Sequence, residues 1–186
     1  HDHAFYEEFW AALNTAGTWQ GEVWDRRKDG SEFPIGLTIT RIKNDQGETT
    51  HYIATFADIS ERKAAEERIR YLVHHDALTG LPNRTLLSEQ LDRFLVRARR
   101  QNRLVMVLSI DIDRFKVVND SLGHAMGDLI LQQLAQRLQD CIDEGDVLSR
   151  PGGDEFVVVL PTLQEISAAL SKVEKIVNGL RQPLYI

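Results

Sequence analysis

The sequence is poor in the residues that mark several protein classes. Its 186 residues include a single cysteine, Cys141, so no disulfide can close within the chain. A reducing cytosol is the natural setting for such a chain. No apolar run is long enough to span a bilayer, and no secretory leader is visible. Basic charge is scarce as well. There are 22 Lys and Arg against 28 Asp and Glu, a net charge of −6, so no basic face argues for nucleic acid. The length suits one or two domains. The expected location is cytoplasmic. The chain opens abruptly at His1-Asp2-His3, like a cut edge, and a membrane tether ahead of it stays open.

What is present is organised around Leu148-Ser149-Arg150-Pro151-Gly152-Gly153-Asp154-Glu155-Phe156, followed by the apolar run 157–160. Val147-Leu148-Ser149 reads as a strand pairing with that run, and Pro151-Gly152-Gly153 as the turn between them, since glycine tolerates positive φ. Without Cβ atoms such a turn leaves room for a bulky ligand. Alone, Gly-Gly-Asp-Glu is a solvated hairpin tip. A second strongly apolar run, starting at Leu104 and ending in Asp111-Ile112-Asp113, reads as a buried strand over 104–112 with acids at its C-terminal end, where α/β folds place ligands. Strand alternation puts Asp111 and Asp113 on one face. Two carboxylate clusters at strand ends can converge on one hard cation. Mg²⁺ suits such a site, because it takes few protein oxygens and keeps water and phosphate in its remaining positions.

Arg150-Pro151-Gly152-Gly153-Asp154-Glu155-Phe156 resembles the signature of GGDEF domains, the diguanylate cyclases. Three more stretches agree in order and spacing: 76–84, with Asp76-Ala77-Leu78-Thr79-Gly80-Leu81-Pro82-Asn83-Arg84; Asp111-Ile112-Asp113-Arg114-Phe115-Lys116; and 119–128, with Leu122-Gly123-His124 and Gly127-Asp128. The resemblance covers roughly Asp76 to the C-terminus. Ahead of it lie a short helix from Phe5 to Leu13 and three strands, from Trp19 to Trp24, Phe33 to Ile42 and Thr50 to Ile59. Turns at 28–31 and 44–47 join them in a meander. With the closing Asp58-Ile59-Ser60-Glu61-Arg62, this stretch resembles the C-terminal half of a PAS sensor domain, whose other half is expected upstream. His1, His3 and His51 are candidate ligands, read first as a cut end and an ordinary strand histidine. The position of the haem ligand in haem-binding PAS domains falls near Thr15, which disfavours haem. Flavin motifs would lie in the missing half, so the PAS cofactor stays unknown.

The expected organisation is a partial PAS domain over 1–60, a linker signalling helix over 61–75 and a C-terminally incomplete GGDEF domain over 76–186. In fold class this is α/β of the α+β kind, with an antiparallel half-sheet, a linker helix, and then a central, mainly antiparallel sheet flanked by helices. In the linker, Ala65, Ile69 and Leu72 follow the spacing of a short coiled coil, though a plain solvated helix fits almost as well. Leu87, Leu91, Phe94, Leu95 and Ala98 give an amphipathic helix over 85–100. A helix is expected from about Leu129 to Cys141. Another runs through Ile166, Leu170, Val173, Ile176 and Val177.

The resemblance implies a reaction and a set of roles. Two GTP molecules join into cyclic di-GMP and release two pyrophosphates. Asp111, Ile112 (through its carbonyl), Asp154 and Glu155 would hold Mg²⁺, or Mn²⁺. Asp154 would also take the proton of the attacking 3′-hydroxyl, with Glu155 assisting and Lys116 stabilising the developing charge. Asp113 is read first as a cap of the following helix. No Walker-type loop is present, so the turn at Arg114-Phe115-Lys116 would cradle the phosphates at a helix start. Asn119 and Asp128 would read guanine, with His124 a further contact. Gly152 and Gly153 border the substrate, and Arg150 is either a substrate contact or a solvent-facing strand arginine. A homodimer joined through the linker and PAS parts is implied, because one domain holds one GTP. A rival reading is a GTP-binding regulatory module controlling a downstream EAL-type phosphodiesterase domain, a composite that the ending Arg181-Gln182-Pro183-Leu184-Tyr185 also resembles. The family's product-inhibition site, Arg-x-x-Asp, falls on Asp143 and Asp146, so its arginine is replaced by an acid.

Overall fold

The computed structural model describes residues 3–184, except for the side chains of Thr162 and Ala168. His1 and Tyr185 lie outside the described residues. Two compact units divide between Arg68 and Ile69.

In the first unit, α1 (His3–Ala16) precedes three antiparallel strands, β1 (Thr18–Arg26), β2 (Glu32–Lys43) and β3 (Thr49–Asp58), in the order β1-β2-β3. The turns close through side chains that mimic the backbone. Asp29 accepts from the Ser31 amide at 2.9 Å, and Asn44 accepts from the Gln46 and Glu48 amides at 3.1 and 2.8 Å. Phe5 and Phe9 on α1 meet the Trp19 ring at centroid distances of 5.7 and 5.0 Å. The same ring explains Gly21, where a Cβ would lie 2.5 Å from it. Leu13 and Ile35 are buried, whereas every residue of β3 is exposed, Phe56 and Ile53 among them. His3 reaches Glu7 on its own helix and His51 is exposed on β3. Among the described residues these histidines take part in no metal-binding group.

The helix α2 (Ser60–His74) starts where Asp58 accepts the Ser60 amide at 2.9 Å. An i,i+4 pair, Arg62–Glu66 at 2.7 Å, supports it, and Arg62 also bonds Glu22 at 2.6 Å. Nothing on α2 is buried; Ile69 is 65% exposed. The spaced apolar positions therefore form an open stripe.

The second unit continues with α3 (Arg84–Gln101), β4 (Leu104–Ile110), α4 (Phe115–Leu122), α5 (His124–Cys141), β5 (Val147–Gly152), β6 (Glu155–Leu163) and α6 (Ile166–Leu180). The sheet runs β4-β6-β5, and both pairings are antiparallel. The central strand β6 is buried from Phe156 to Pro161, as its unbroken apolar run requires. Leu131, Leu134, Ala135 and Leu138 of α5, with Leu148 of β5 and Ile176 of α6, complete the core. Asn83 links two helices. Its amide donates to the Val73 carbonyl at the end of α2, and its oxygen accepts the Thr85 and Leu86 amides at the start of α3.

Several expectations change. The 104–110 run forms an edge strand, with Leu104 and Val107 exposed, and it stops at Ile110; Asp111 and Asp113 lie beyond it. Asp113 is not a helix cap: Arg114 holds that position, with φ of 58°, and no side chain bonds there. The turn at 114–116 opens α4, the helix start expected there. The helix expected from Leu129 begins at His124, because Gly123, with φ of 85°, lets one helix end and the next start at once. Leu95 faces outward on α3, as do Ile166, Leu170 and Val177 on α6. No helix of the described residues is long and apolar enough to cross a membrane.

Candidate active site

The glycine-rich hairpin is tighter than its sequence indicated. Pro151 and Gly152 belong to β5, and Gly152 pairs with Glu155. The turn itself is the two residues Gly153 and Asp154. Gly153 has φ of 59°, which glycine adopts freely at the first position of such a turn. A Cβ on Gly152 or Gly153 would meet nothing within 4 Å, so this edge is open to a ligand.

Sheet register brings the second acidic stretch alongside. Ile110 pairs with Phe156, so the chain leaving β4 at Asp111 runs beside Glu155 and the turn. Glu155 makes a long contact, 3.4 Å, with the Ser109 hydroxyl on β4. Asp111 and Asp113 are exposed while Ile112 packs against the core, so alternation holds for these three residues past the strand's end. The Ile112 carbonyl accepts the Phe115 amide at 3.2 Å, which leaves a lone pair for another partner.

A second group surrounds Gly127, which is buried at the start of α5. A Cβ there would lie 1.9 Å from Asn119 Oδ1 and 3.1 Å from Phe115 Cζ. Both side chains therefore rest on glycine backbone. Asp128 follows as an exposed residue beside that contact, and His124 and Lys116 are exposed on α5 and α4.

Arg150 requires a correction. It is 8% exposed, so it is not a solvent-facing strand arginine. Its Nη1 pairs with Asp76 Oδ1 at 2.7 Å, and its Nε and Nη2 donate to the Gly153 carbonyl at 3.1 and 2.5 Å. These partners are protein atoms, so the guanidinium is directed inward, onto the turn and Asp76. Asp76 is held below the ordinary carboxylate range. Burial works against its charge, but bonds from Thr79 and Arg150 outweigh that cost.

The structure thus assembles two groups, the carboxylates at the β4–β6 end and the Phe115–Asn119–Gly127 corner, with Asp128 next in sequence. Among the described residues no group of three or more His, Cys, Asp or Glu side chains converges for a metal. Such a sparse set cannot enclose a cation by itself. Asp111, Asp154 and Glu155 are the side chains that could take part in holding Mg²⁺, an ion commonly held by one or two carboxylates plus substrate phosphate. Sequence reasoning missed the role of Gly127, which carries no side chain to attract notice. It also missed the Asp76–Arg150 pair, whose members are 74 residues apart.

A sheet bordered by helices, with acids on a glycine turn at its end, defines the class, and comparison with known proteins specifies it. The family model for the diguanylate cyclase GGDEF domain matches residues 73–186, and a PAS domain model matches residues 1–61. The chain belongs to the GGDEF-domain diguanylate cyclase family. It is 38% identical over 134 residues to the cyclic di-GMP phosphodiesterase PdeR of Escherichia coli, covering 72% of this chain and 20% of that protein. It is 40% identical over 116 residues to the diguanylate cyclase TpbB of Pseudomonas aeruginosa, covering 62% of this chain and 27% of that protein. A solved structure of the TpbB GGDEF domain superposes with a TM-score of 0.57 at 42% identity, covering 60% of this chain and 64% of that one. The chain thus spans about a fifth to a quarter of these two curated relatives.

Proposed function

We propose that this chain is the catalytic part of a diguanylate cyclase, condensing two GTP molecules into cyclic di-GMP under the control of its PAS segment. The observation that supports this reading is the Ile110–Phe156 register, which brings the chain at Asp111 alongside Glu155, the first residue of β6, next to the turn that bears Asp154. Asp154 takes the proton from the 3′-hydroxyl of one GTP. The freed oxygen attacks the α-phosphorus of the other GTP, and pyrophosphate leaves. Repetition of the step closes the ring. Mg²⁺ or Mn²⁺, held by Asp111, Asp154, Glu155 and the Ile112 carbonyl, would neutralise phosphate charge and lower the hydroxyl pKa. Lys116 adds positive charge where the transition state needs it. Asp128 accepts the two neighbouring N–H groups of guanine, which adenine lacks, and Asn119 completes that recognition. His124 and Phe115 border the base, and Gly152 and Gly153 leave room for the phosphates. Each domain binds one GTP, so two copies must face each other as a homodimer. The natural setting is the cytoplasm.

The identity to PdeR favours one alternative, a GTP-binding regulatory module that controls a downstream EAL-type phosphodiesterase domain. Incubating the full-length protein with GTP and Mg²⁺, followed by nucleotide chromatography, separates the two. Accumulating cyclic di-GMP supports the cyclase. GTP binding that changes cyclic di-GMP breakdown, with no synthesis, supports the module.

A further inference from the structure

The acidic turn has little of its own to hold it still. Both glycines face open space, and Gly153 adopts a left-handed conformation that few residues tolerate. Glycine carries the largest backbone freedom of any residue, so a catalytic acid placed on such a turn must be fixed from outside. Arg150 supplies the fixing. The β5 register shifts between Ser149 and Gly152, and such a bulge turns a side chain away from its regular direction. Arg150 is directed inward, where it grips the Gly153 carbonyl twice and Asp76 once. Asp76 is fixed in turn. Its Oδ1 accepts the Thr79 amide at 2.9 Å and the Thr79 hydroxyl at 2.6 Å, and its own amide donates to the Leu81 carbonyl at 2.8 Å.

The anchor connects to the end of the linker helix. Asp76 stands two residues past α2. Tyr71 on α2 donates to the Gly80 carbonyl at 3.0 Å, inside the same 76–83 loop. The Pro82 carbonyl of that loop accepts both the Arg150 amide, at 2.9 Å, and the Ser149 hydroxyl, at 2.7 Å. Side-chain exposures of 9% for Arg150 and 19% for Asp76 keep water from replacing the pair.

We propose that Arg150 and Asp76 are positioning residues: together they fix the Gly153 carbonyl, set the location of Asp154, and tie the catalytic turn to the end of α2. This rests on the cyclase reading, with Asp154 as the reacting acid. The bonds of both run to protein atoms. A shift of the turn misplaces the base without emptying the nucleotide site, and displacements of about 1 Å can cost about 100-fold in rate.

The test uses the full-length protein with Arg150→Lys and Asp76→Ala. A lysine keeps the charge and can pair with Asp76, but its single ammonium lacks the planar fork that bridges Asp76 and the Gly153 carbonyl. Expected is a fall in kcat of about 10- to 100-fold with GTP affinity, by calorimetry, changed less than about threefold. The double variant should be no slower than the slower single variant, because both act through one carbonyl. Amide hydrogen exchange at 153–155 should rise in each variant, and this readout needs no turnover. If the wild-type protein makes no cyclic di-GMP, the cyclase reading fails, and the exchange result alone decides whether the pair holds the turn. Unchanged exchange in Arg150→Lys overturns the proposal. So does a loss of GTP affinity with kcat intact, which would make Arg150 a substrate contact after all.

Discussion

Asn119 Oδ1 occupies the space where a side chain on Gly127 would begin, 1.9 Å from the position of a Cβ. The atom in the way is the end of a movable side chain, so Gly127→Ala can be accommodated by rotating Asn119 aside. Stability should then fall only modestly, by about 1–3 kcal/mol as is common for overpacking. Guanine recognition should suffer more, because Asn119 leaves its place. GTP affinity should drop at least about tenfold, and Asp128→Ala should show the same loss of preference for GTP over ATP, since a site built for donor groups discriminates through its acceptors. Competition binding with the two nucleotides checks both variants. Full GTP preference in either one would make that residue structural.

The carboxylates at the sheet end yield a different result. Asp111 is exposed and Asp154 sits on the open turn, so neither supports the core. Asp111→Asn and Asp154→Ala should keep the thermal midpoint within about 2–4 °C of the parent, as changes under about 1 kcal/mol do. Synthesis of cyclic di-GMP should fall by several orders of magnitude, because general-base help alone is worth about 10²- to 10⁴-fold. Product yield per hour, compared at equal folded concentration, measures this. Near-parental synthesis by either variant removes it from the metal and base roles.

Much of this layout was legible in the sequence, and the reasons are local. The 157–160 run has to be a buried strand, and the Asp111, Asp154 and Glu155 positions come from short motifs whose chemistry is carried by side chains. Strand alternation also anticipated that Asp111 and Asp113 would share one face; the structure makes it the exposed one, with Ile112 packed against the core. What escaped depends on register and on distant pairing. The turn shrank to Gly153 and Asp154 because a bulge lets β5 extend through Gly152. Arg150 read as a substrate contact or a solvent-facing arginine because its partner Asp76 is remote in the chain. The long apolar stretch at 104–110 gave no sign that it would lie at an edge, since an edge strand and a central one can share a composition.

The linker helix permits a test of phase. Ala65 and Ile69 are exposed on α2, and Leu72 is partly so. If this stripe pairs with a second copy, inserting two residues after Ala65 turns the downstream part of the chain by about 200°, whereas four residues restore the phase to within about 40°. Cyclic di-GMP synthesis should fall or rise sharply in the first case and return toward the parental rate in the second, with GTP affinity unchanged in both. A series with flat activity would leave α2 as a passive tether.

The last prediction concerns the product. The positions of the inhibitory Arg-x-x-Asp pair are taken by Asp143 and Asp146, and the structure gives both acids a common partner. Lys172 of α6 binds Asp146 at 2.7 Å and Asp143 at 3.0 Å, while Lys175 reaches Asp143 at 3.5 Å. The Asp146 side chain is only 6% exposed, so this lysine satisfies an acid that water barely reaches. Asp143 is held below the usual carboxylate range by its bond to Lys172, by that lysine's charge and by Lys175. Lys172 is held above its usual range: burial works against its charge, and its bonds to Asp146 and Asp143 outweigh that. The lysine's stabilising effect is complete below its unfolded value of 10.5 and fades as pH rises through the higher folded value. The Asp143 effect is present above 3.8 and fades as pH falls through the lower folded value. Between those limits the cluster stays closed on itself, and it presents no guanidinium fork to grip phosphate and guanine together. Strong product inhibition through this site is therefore not expected at neutral pH. Calorimetry with cyclic di-GMP should detect no submicromolar binding at Asp146, and Lys172→Met should destabilise the domain without creating any. Submicromolar binding that Asp146→Ala abolishes would mean that the inhibitory site persists without its arginine, with Lys172 turning outward to take the phosphate.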